Sequence, residues 1–317
     1  MIKKSLLTAL AILGAYHLAL PHLSHKFYQI LGQQRGNYNL AQHYVLDVPS
    51  GRNVIVGSSI ANTLNDGLLG NGYLKLTFPG GSIFTALEMI RQSEKRPRVV
   101  LIETNLPGRD ADKELLHDLF SPLLLALRRH SGIFREEGRP SNFIGGMAEA
   151  FVRRGCQITS RALYGNGALV GSVATESLPP AVLSKLLRIE REDWDSKPPA
   201  TLLTKQTNEL GDYVDALGRD GSVCILFEMP VDASLFNLTS ARLWRQAMNE
   251  RFPHNKYHWL SFEPDHVYRT KDGIHLVPEE ADRLTEVMVN QVNQIMRLAG
   301  KPESASPQLA STSGDGL

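Results

Sequence analysis

Cysteine is nearly absent. The 317-residue chain carries two, Cys156 and Cys224, which excludes a disulfide scaffold and a Cys-rich zinc site. An excess of either charge is also lacking: 34 Lys and Arg stand against 33 Asp and Glu, a formal net charge of +1. There is no long Lys/Arg stripe, and nucleic-acid binding needs a clustered basic surface, so no nucleic-acid partner is expected. No apolar run reaches the roughly 20 residues that a full membrane span prefers. No Gly-Lys-Ser/Thr completes a phosphate loop at the glycine-rich turn 79–81, and there is no internal repeat. What remains is ordinary: 42% hydrophobic and 21% charged residues exclude wholesale disorder and suffice for a large core.

The ends are less ordinary. Met1-Ile2-Lys3-Lys4 precedes an apolar stretch, Leu6 to Leu20, closed by Pro21; a basic start and about 15 apolar residues have the form of a secretory signal or short signal anchor. The nearest small-residue cleavage option, His17-Leu18-Ala19, has a poor first residue. Residues 1–21 are therefore read as an uncleaved anchor in preference to a removed signal or a buried core helix. Lys3 and Lys4 would stay cytoplasmic and the main domain would be periplasmic or extracytoplasmic, or secreted if the segment is cleaved. Residues 22–50 show no periodicity and read as a stalk leading into the domain. His22, His25 and His43 lack an i, i+4 pair and a carboxylate partner, so they are not read as metal ligands. Residues 301–317, rich in Ser, Pro, Gly and Ala, are expected to be a disordered tail without a lipidation or retention signal.

Between the ends an alternation begins. Asn53–Val56 reads as a strand ending in Gly57-Ser58-Ser59. Tyr73–Phe78 is a second strand, ending in Pro79-Gly80-Gly81. Ser82 can cap a helix to about Ser93, with Ile83, Leu87 and Ile90 on one face. Arg98–Glu103 is nearly all apolar, as a buried parallel strand should be. Residues 106 to about 200 form a mixed segment with helical stretches at Leu115–Arg129 and Ile144–Arg154 and a break at Ser177-Leu-Pro-Pro. Thr201–Leu217 is helical, Ser222–Glu228 a fourth strand, Leu238–Arg251 a helix and Tyr257–Phe262 a fifth strand. Pro278–Leu298 closes the chain as a helix with proline in its first turn. The prediction is α/β: a flavodoxin-like parallel sheet of about five strands flanked by helices, over residues 51–300, with a largely helical insertion at 106–200.

In such a sheet, functional groups gather beyond the carboxyl ends of the strands. There stand Gly57-Ser58-Ser59 after the first strand, Gly80-Gly81 after the second, Asn105 after the third and Asp272-Gly-Ile-His275 after the fifth. Each part suits acyl-ester chemistry. A serine hydroxyl needs a base to take its proton. A histidine titrating near neutrality can take and return it. An aspartate three residues earlier can orient the imidazole. Backbone N–H groups at Ser59 and at a glycine, with the Asn105 amide, can stabilise an oxyanion.

Other residues fit less well. Ser58 is the nucleophile only if the turn is shifted by one. Asp265-His266 is an adjacent pair whose side chains diverge. Glu228 closes the fourth strand near the same rim, either touching substrate or supporting a pocket edge. Cys224, inside an apolar strand, is a small buried hydrophobe. Whether Cys156 pairs with it stays open.

This ordered set resembles the SGNH hydrolases, the GDSL family, whose four blocks carry Ser, Gly, Asn and His in that chain order, with Asp three before His. Gly57-Ser58-Ser59 looks like the first block, Gly81 (with Gly80 competing) the second, Glu103-Thr104-Asn105 the third and Asp272-Gly-Ile-His275-Leu-x-Pro the fourth. The resemblance spans about residues 52–298. Two blocks depart from it: in the first, Ser58 stands where the family has Asp, and in the third, Glu103 and Leu106 stand where it has Gly and Asp. Such departures are seen in divergent branches that include membrane-anchored O-acetyltransferase-like proteins of extracellular polysaccharides. The resemblance implies Ser59 as nucleophile, His275 as acid-base, Asp272 as its orienter, and Ser59, Gly81 and Asn105 as oxyanion donors. It further implies an acylated envelope or extracellular glycan as substrate, with partner proteins of a polysaccharide export or acylation system. No cofactor and no metal is implied. A second reading is a non-catalytic polysaccharide-assembly factor on the same scaffold. A third, a flavodoxin-like nucleotide binder, lacks a phosphate motif.

Overall fold

The computed structural model describes residues 33–139, 180–263 and 266–300, with Lys4, Ser5, Leu7, Thr8, Ala11, Gly14, Ala15 and Tyr16 before them. Contacts divide the chain into two compact units: residues 1–48 with 112–176, and residues 49–111 with 177–317. The segment 106–200, expected as one insertion, is thus shared between them.

The second unit holds the sheet. Its strands are β1 (Asn53–Gly57), β2 (Tyr73–Thr77), β3 (Val99–Glu103), β4 (Val223–Phe227) and β5 (His258–Trp259), in the order β2-β1-β3-β4-β5. Every pair is parallel, with Val54 opposite Leu74 and Val100, and Leu101 opposite Ile225. This is the flavodoxin-type order, in which strand succession reverses between β1 and β3. All five residues of β1 and of β3 are buried. That explains their unbroken apolar sequences, since both faces are covered. The expected fifth strand at 257–262 shortens to two residues.

Helices flank the sheet. Ser82 caps the first of them here, Ile83–Gln92, by accepting the Phe84 N–H at 3.1 Å, as predicted. Ala200–Arg219 and Thr239–Arg251 lie close to the expected ranges. Pro180–Trp194 is also helical. That helix was not expected: the Pro179-Pro180 pair reads as a break, yet proline is well tolerated at a first helical position. Pro278–Leu298 buries Ala281, Leu284, Met288, Val292 and Met296, one stripe at helical spacing. These residues join Ile55, Leu101 and Ile225 in the core.

In the first unit, Gln33–Asp47 is a helix, correcting the stalk expectation for those residues. It buries Ala41, Gln42, Tyr44 and Val45, and Gln42 Oε1 accepts the Glu136 N–H at 2.7 Å. His43 Nδ1 lies 3.3 Å from Asp47 Oδ2, so it has the i, i+4 carboxylate partner that the sequence reading denied it. The helix expected over 115–129 is two, Lys113–Phe120 and Pro122–His130, because Pro122 cannot donate to the preceding turn. Arg128 is 0% exposed and donates to the Asp118 carboxylate at 2.7 Å, as a buried charge must. The 144–154 helix, Cys156, His22, His25, Asp265, the 301–317 tail and most of segment 1–21 lie outside the described residues. Among those described, no helix is long and apolar enough to cross a membrane.

Candidate functional site

The turn after β1 is built around a buried carboxylate. Glu103, the last residue of β3, is 0% exposed. Its Oε2 accepts the Ser58 N–H at 2.7 Å and the Ala61 N–H at 3.2 Å, and its Oε1 accepts the Ser58 hydroxyl at 2.9 Å. The Ser58 oxygen in turn accepts the Ile60 N–H at 3.1 Å. Ser58 is therefore committed to the turn, which removes it as an alternative nucleophile and leaves Ser59 half-buried at the turn's apex. Two of the departures from the SGNH pattern, Ser58 and Glu103, thus bond to each other. Gly57 is required beside them: a Cβ there would lie 2.6 Å from Glu103 Oε2 and 2.6 Å from Ala61 Cβ. Burial raises the Glu103 pKa, against the Ser58 and Ala61 hydrogen bonds and the charge of His275.

The Asp272–His275 pair is formed. Asp272 Oδ2 and His275 Nδ1 are 2.6 Å apart, while Oδ1 accepts the His275 N–H at 2.9 Å and the Ile274 N–H at 3.2 Å. A carboxylate has no proton to give, so Nδ1 carries the hydrogen and Nε2 is left as a base. Burial works to raise the Asp272 pKa, but the His275 and Ile274 contacts outweigh it and hold the acid below its ordinary value. Gly273 has φ of 108°, a conformation side chains rarely adopt, and it lets the loop fold back on Asp272. The Gly273 carbonyl accepts the Asp232 N–H at 2.7 Å, tying this loop to the segment after β4.

Two links bring the β1 turn and this pair toward one another. His275 bears electrostatically on Glu103. The Asn65 N–H donates to Thr285 Oγ1 at 3.0 Å and the Asn65 amide to Asp282 at 2.6 Å, stapling the segment after Ser59 to the helix that begins three residues beyond His275. Among the described residues, however, neither the Ser59 hydroxyl nor His275 Nε2 makes a hydrogen bond, so the serine–histidine link is not closed.

The donor set differs in one respect from expectation. The Gly81 N–H donates to the Phe78 carbonyl at 2.8 Å. It is spent on the turn and is corrected as an oxyanion donor. The neighbouring Gly80 N–H makes no hydrogen bond among the described residues. The Asn105 amide donates to the Met229 carbonyl at 2.9 Å and accepts the Met229 N–H at 2.7 Å; an amide nitrogen carries a second hydrogen. His266 pairs with Glu280 at 2.7 Å.

Several features were missed in the sequence. Glu103 as a clamp had a visible signal, an acid ending an otherwise apolar buried strand, because buried acids require partners. Glu190, on the Pro180–Trp194 helix, has its pKa raised by burial and by the charges of Asp272 and Asp193, with His275 and Trp194 acting the other way. It is a third carboxylate at this loop. A cavity of about 560 Å³ lies beyond β3, β4 and β5, with Asn105, Trp194, Glu228 and Arg245 among its lining residues. Glu228 is paired with Arg245 by two contacts at 2.6 and 2.7 Å. Burial pushes the Cys224 thiol up to about 12, so it is no nucleophile at neutral pH. Among the described residues no three His, Cys, Asp or Glu side chains group as metal ligands. No protein-family model and no curated protein matches the chain.

Proposed function

We propose that this chain is an exported, membrane-anchored serine enzyme of SGNH type, acting on an O-acyl ester of an envelope or extracellular glycan. The observation that carries the reading is the Asp272–His275 pair at 2.6 Å on the carboxyl rim of the sheet. It is accompanied by Ser59 on a turn that Glu103 holds from beneath. Ser59 Oγ attacks the acyl carbonyl as His275 Nε2 takes its proton, and Asp272 stabilises the resulting imidazolium. The N–H groups of Ser59 and Gly80 and the second amide hydrogen of Asn105 meet the oxyanion. His275 then protonates the departing sugar oxygen. Water or a second glycan hydroxyl, deprotonated by His275, attacks the acyl-serine; the bond from the acyl carbon to Ser59 Oγ breaks and His275 returns the proton to Oγ, which completes hydrolysis or transfer. Closing the serine–histidine contact requires the tightening that often accompanies substrate binding.

The test uses the full chain in mild detergent with an aryl acetate. Ser59→Ala and His275→Ala should each lower the rate about 1,000-fold or more; unchanged rates in both would overturn the assignment. Glycan acceptors added to the same assay separate transferase from esterase. The open serine–histidine contact favours one second reading, a non-catalytic polysaccharide-assembly factor. That reading predicts that Ser59 does not react with a fluorophosphonate probe.

A further inference from the structure

The cavity beyond β3, β4 and β5 has a size typical of small-ligand sites, which span roughly 300–1,000 Å³. It adjoins the candidate catalytic groups: Asn105 is in its wall, and so is Trp194, whose side chain bears on Glu190 beside Asp272 and His275. The chain has 3 tryptophans, and Trp194, Trp244 and Trp259 all line this one space. Trp194 and Trp244 are each 3% exposed. Trp259 is half-buried and spends its indole N–H on the Phe252 carbonyl at 2.8 Å, so its ring offers the cavity only apolar surface.

Charge decides what such a wall accepts. Glu228 and Arg245 pair with each other, and Arg245 also lies 3.7 Å over the Phe236 ring. Glu263 pairs with Arg283, and His266 with Glu280. The carboxylates and the guanidinium of the lining are therefore already compensated, and an ionic ligand would lose its hydration without gaining a counter-charge. A plain acyl chain fits poorly for the opposite reason, because it would cover Asn237, Asn249 and Ser261 without hydrogen-bonding them. An uncharged sugar ring suits both demands. Its C–H faces lie on the half-buried Trp259, Phe262 and Tyr268 rings, and its hydroxyls meet amides and hydroxyls.

We propose that this cavity is the subsite for an uncharged sugar unit next to the scissile ester. The inference rests on the acyl-ester reading and deepens it, naming the part of the substrate that is held and where. The experiment is calorimetric titration of the full chain carrying Ser59→Ala, so that no signal depends on turnover. The probes are neutral tetrasaccharides of glucose, xylose and N-acetylglucosamine, a uronic-acid tetrasaccharide and dodecanoate. The expected result is saturable binding of at least one neutral tetrasaccharide, weakened about tenfold or more by Trp259→Ala and by the surface change Asn237→Ala, and regained in Trp259→Phe. Absence of binding by every neutral probe overturns the proposal. So does binding unaffected by both variants, or tighter variant-sensitive binding of dodecanoate or the uronic-acid probe. The two readings fail separately: sugar binding without ester turnover in the unsubstituted chain removes the catalytic reading alone, and turnover without sugar binding removes the subsite alone.

Discussion

Glu103 takes three donors from the turn that presents Ser59, and this sets its consequence for the proposed chemistry. Glu103→Gln keeps the size but replaces one acceptor with a donor facing Ser58 or Ala61. The turn must then rearrange, and kcat/KM for an aryl acetate should fall roughly 10- to 100-fold, the loss expected for a charge-assisted hydrogen bond. Steady-state rates of the variant check this, with fluorophosphonate labelling of Ser59 reporting the turn directly. Asp272 makes a separate prediction about pH. Its folded-state pKa lies below the ordinary 3.8, so its charged form stabilises the fold above that value, and the contribution is lost as pH falls through the folded-state pKa. Asp272→Asn should therefore show a shallower decline in denaturant midpoint than the unsubstituted chain as pH falls below 3.8. Equal declines would remove this linkage. The Asp272–His275 contact was legible because its partners are three residues apart in one loop. The Glu103–Ser58 contact joins residues 45 apart, and spacing along the chain carries no trace of it.

Elements differ in how plainly they read. β1 and β3 announce themselves because both faces of each are buried, so their apolar runs are unbroken. The helix Gln33–Asp47 does not, since Gln42 is among its four buried residues and its stripe is correspondingly faint. The two helices at 113–130 read as one until Pro122 is given its due. The terminal helix Pro278–Leu298 matters most to the site, because it starts just after His275 and anchors Asn65 through Thr285 and Asp282. Leu284 and Met288, each 0% exposed, hold it to the sheet. Leu284→Ala or Met288→Ala should cost about 2–5 kcal/mol in denaturant unfolding. A cost below about 0.5 kcal/mol, the scale of ordinary surface substitutions, would show that the helix is not packed as described.

At the scale of the whole molecule, a net charge of +1 provides no long-range field to steer a charged partner. The proposed substrate, an uncharged ester, needs none. Turnover of a neutral aryl acetate should therefore change less than about twofold between roughly 0.05 and 0.5 M salt, a range over which the Debye length falls severalfold. A steep salt dependence would point to an ionic substrate and against an uncharged one. The flavodoxin-type strand order sets β1 beside β3, which brings the turn after β1 within reach of Glu103 at the carboxyl rim.

The sequence by itself determined the class of fold and the residues at the rim. Strand and helix periods are local properties, and Asp-x-x-His is a local motif. Only the tertiary structure decided which glycine N–H is spent on its own turn, what holds Ser58, and that residues from 104 to 268 line one cavity with three tryptophans. Those outcomes depend on side chains and backbone groups far apart in the chain, such as Asn105 and Met229 at a separation of 124 residues. Their pairing is settled by packing and by the need to satisfy buried polar groups.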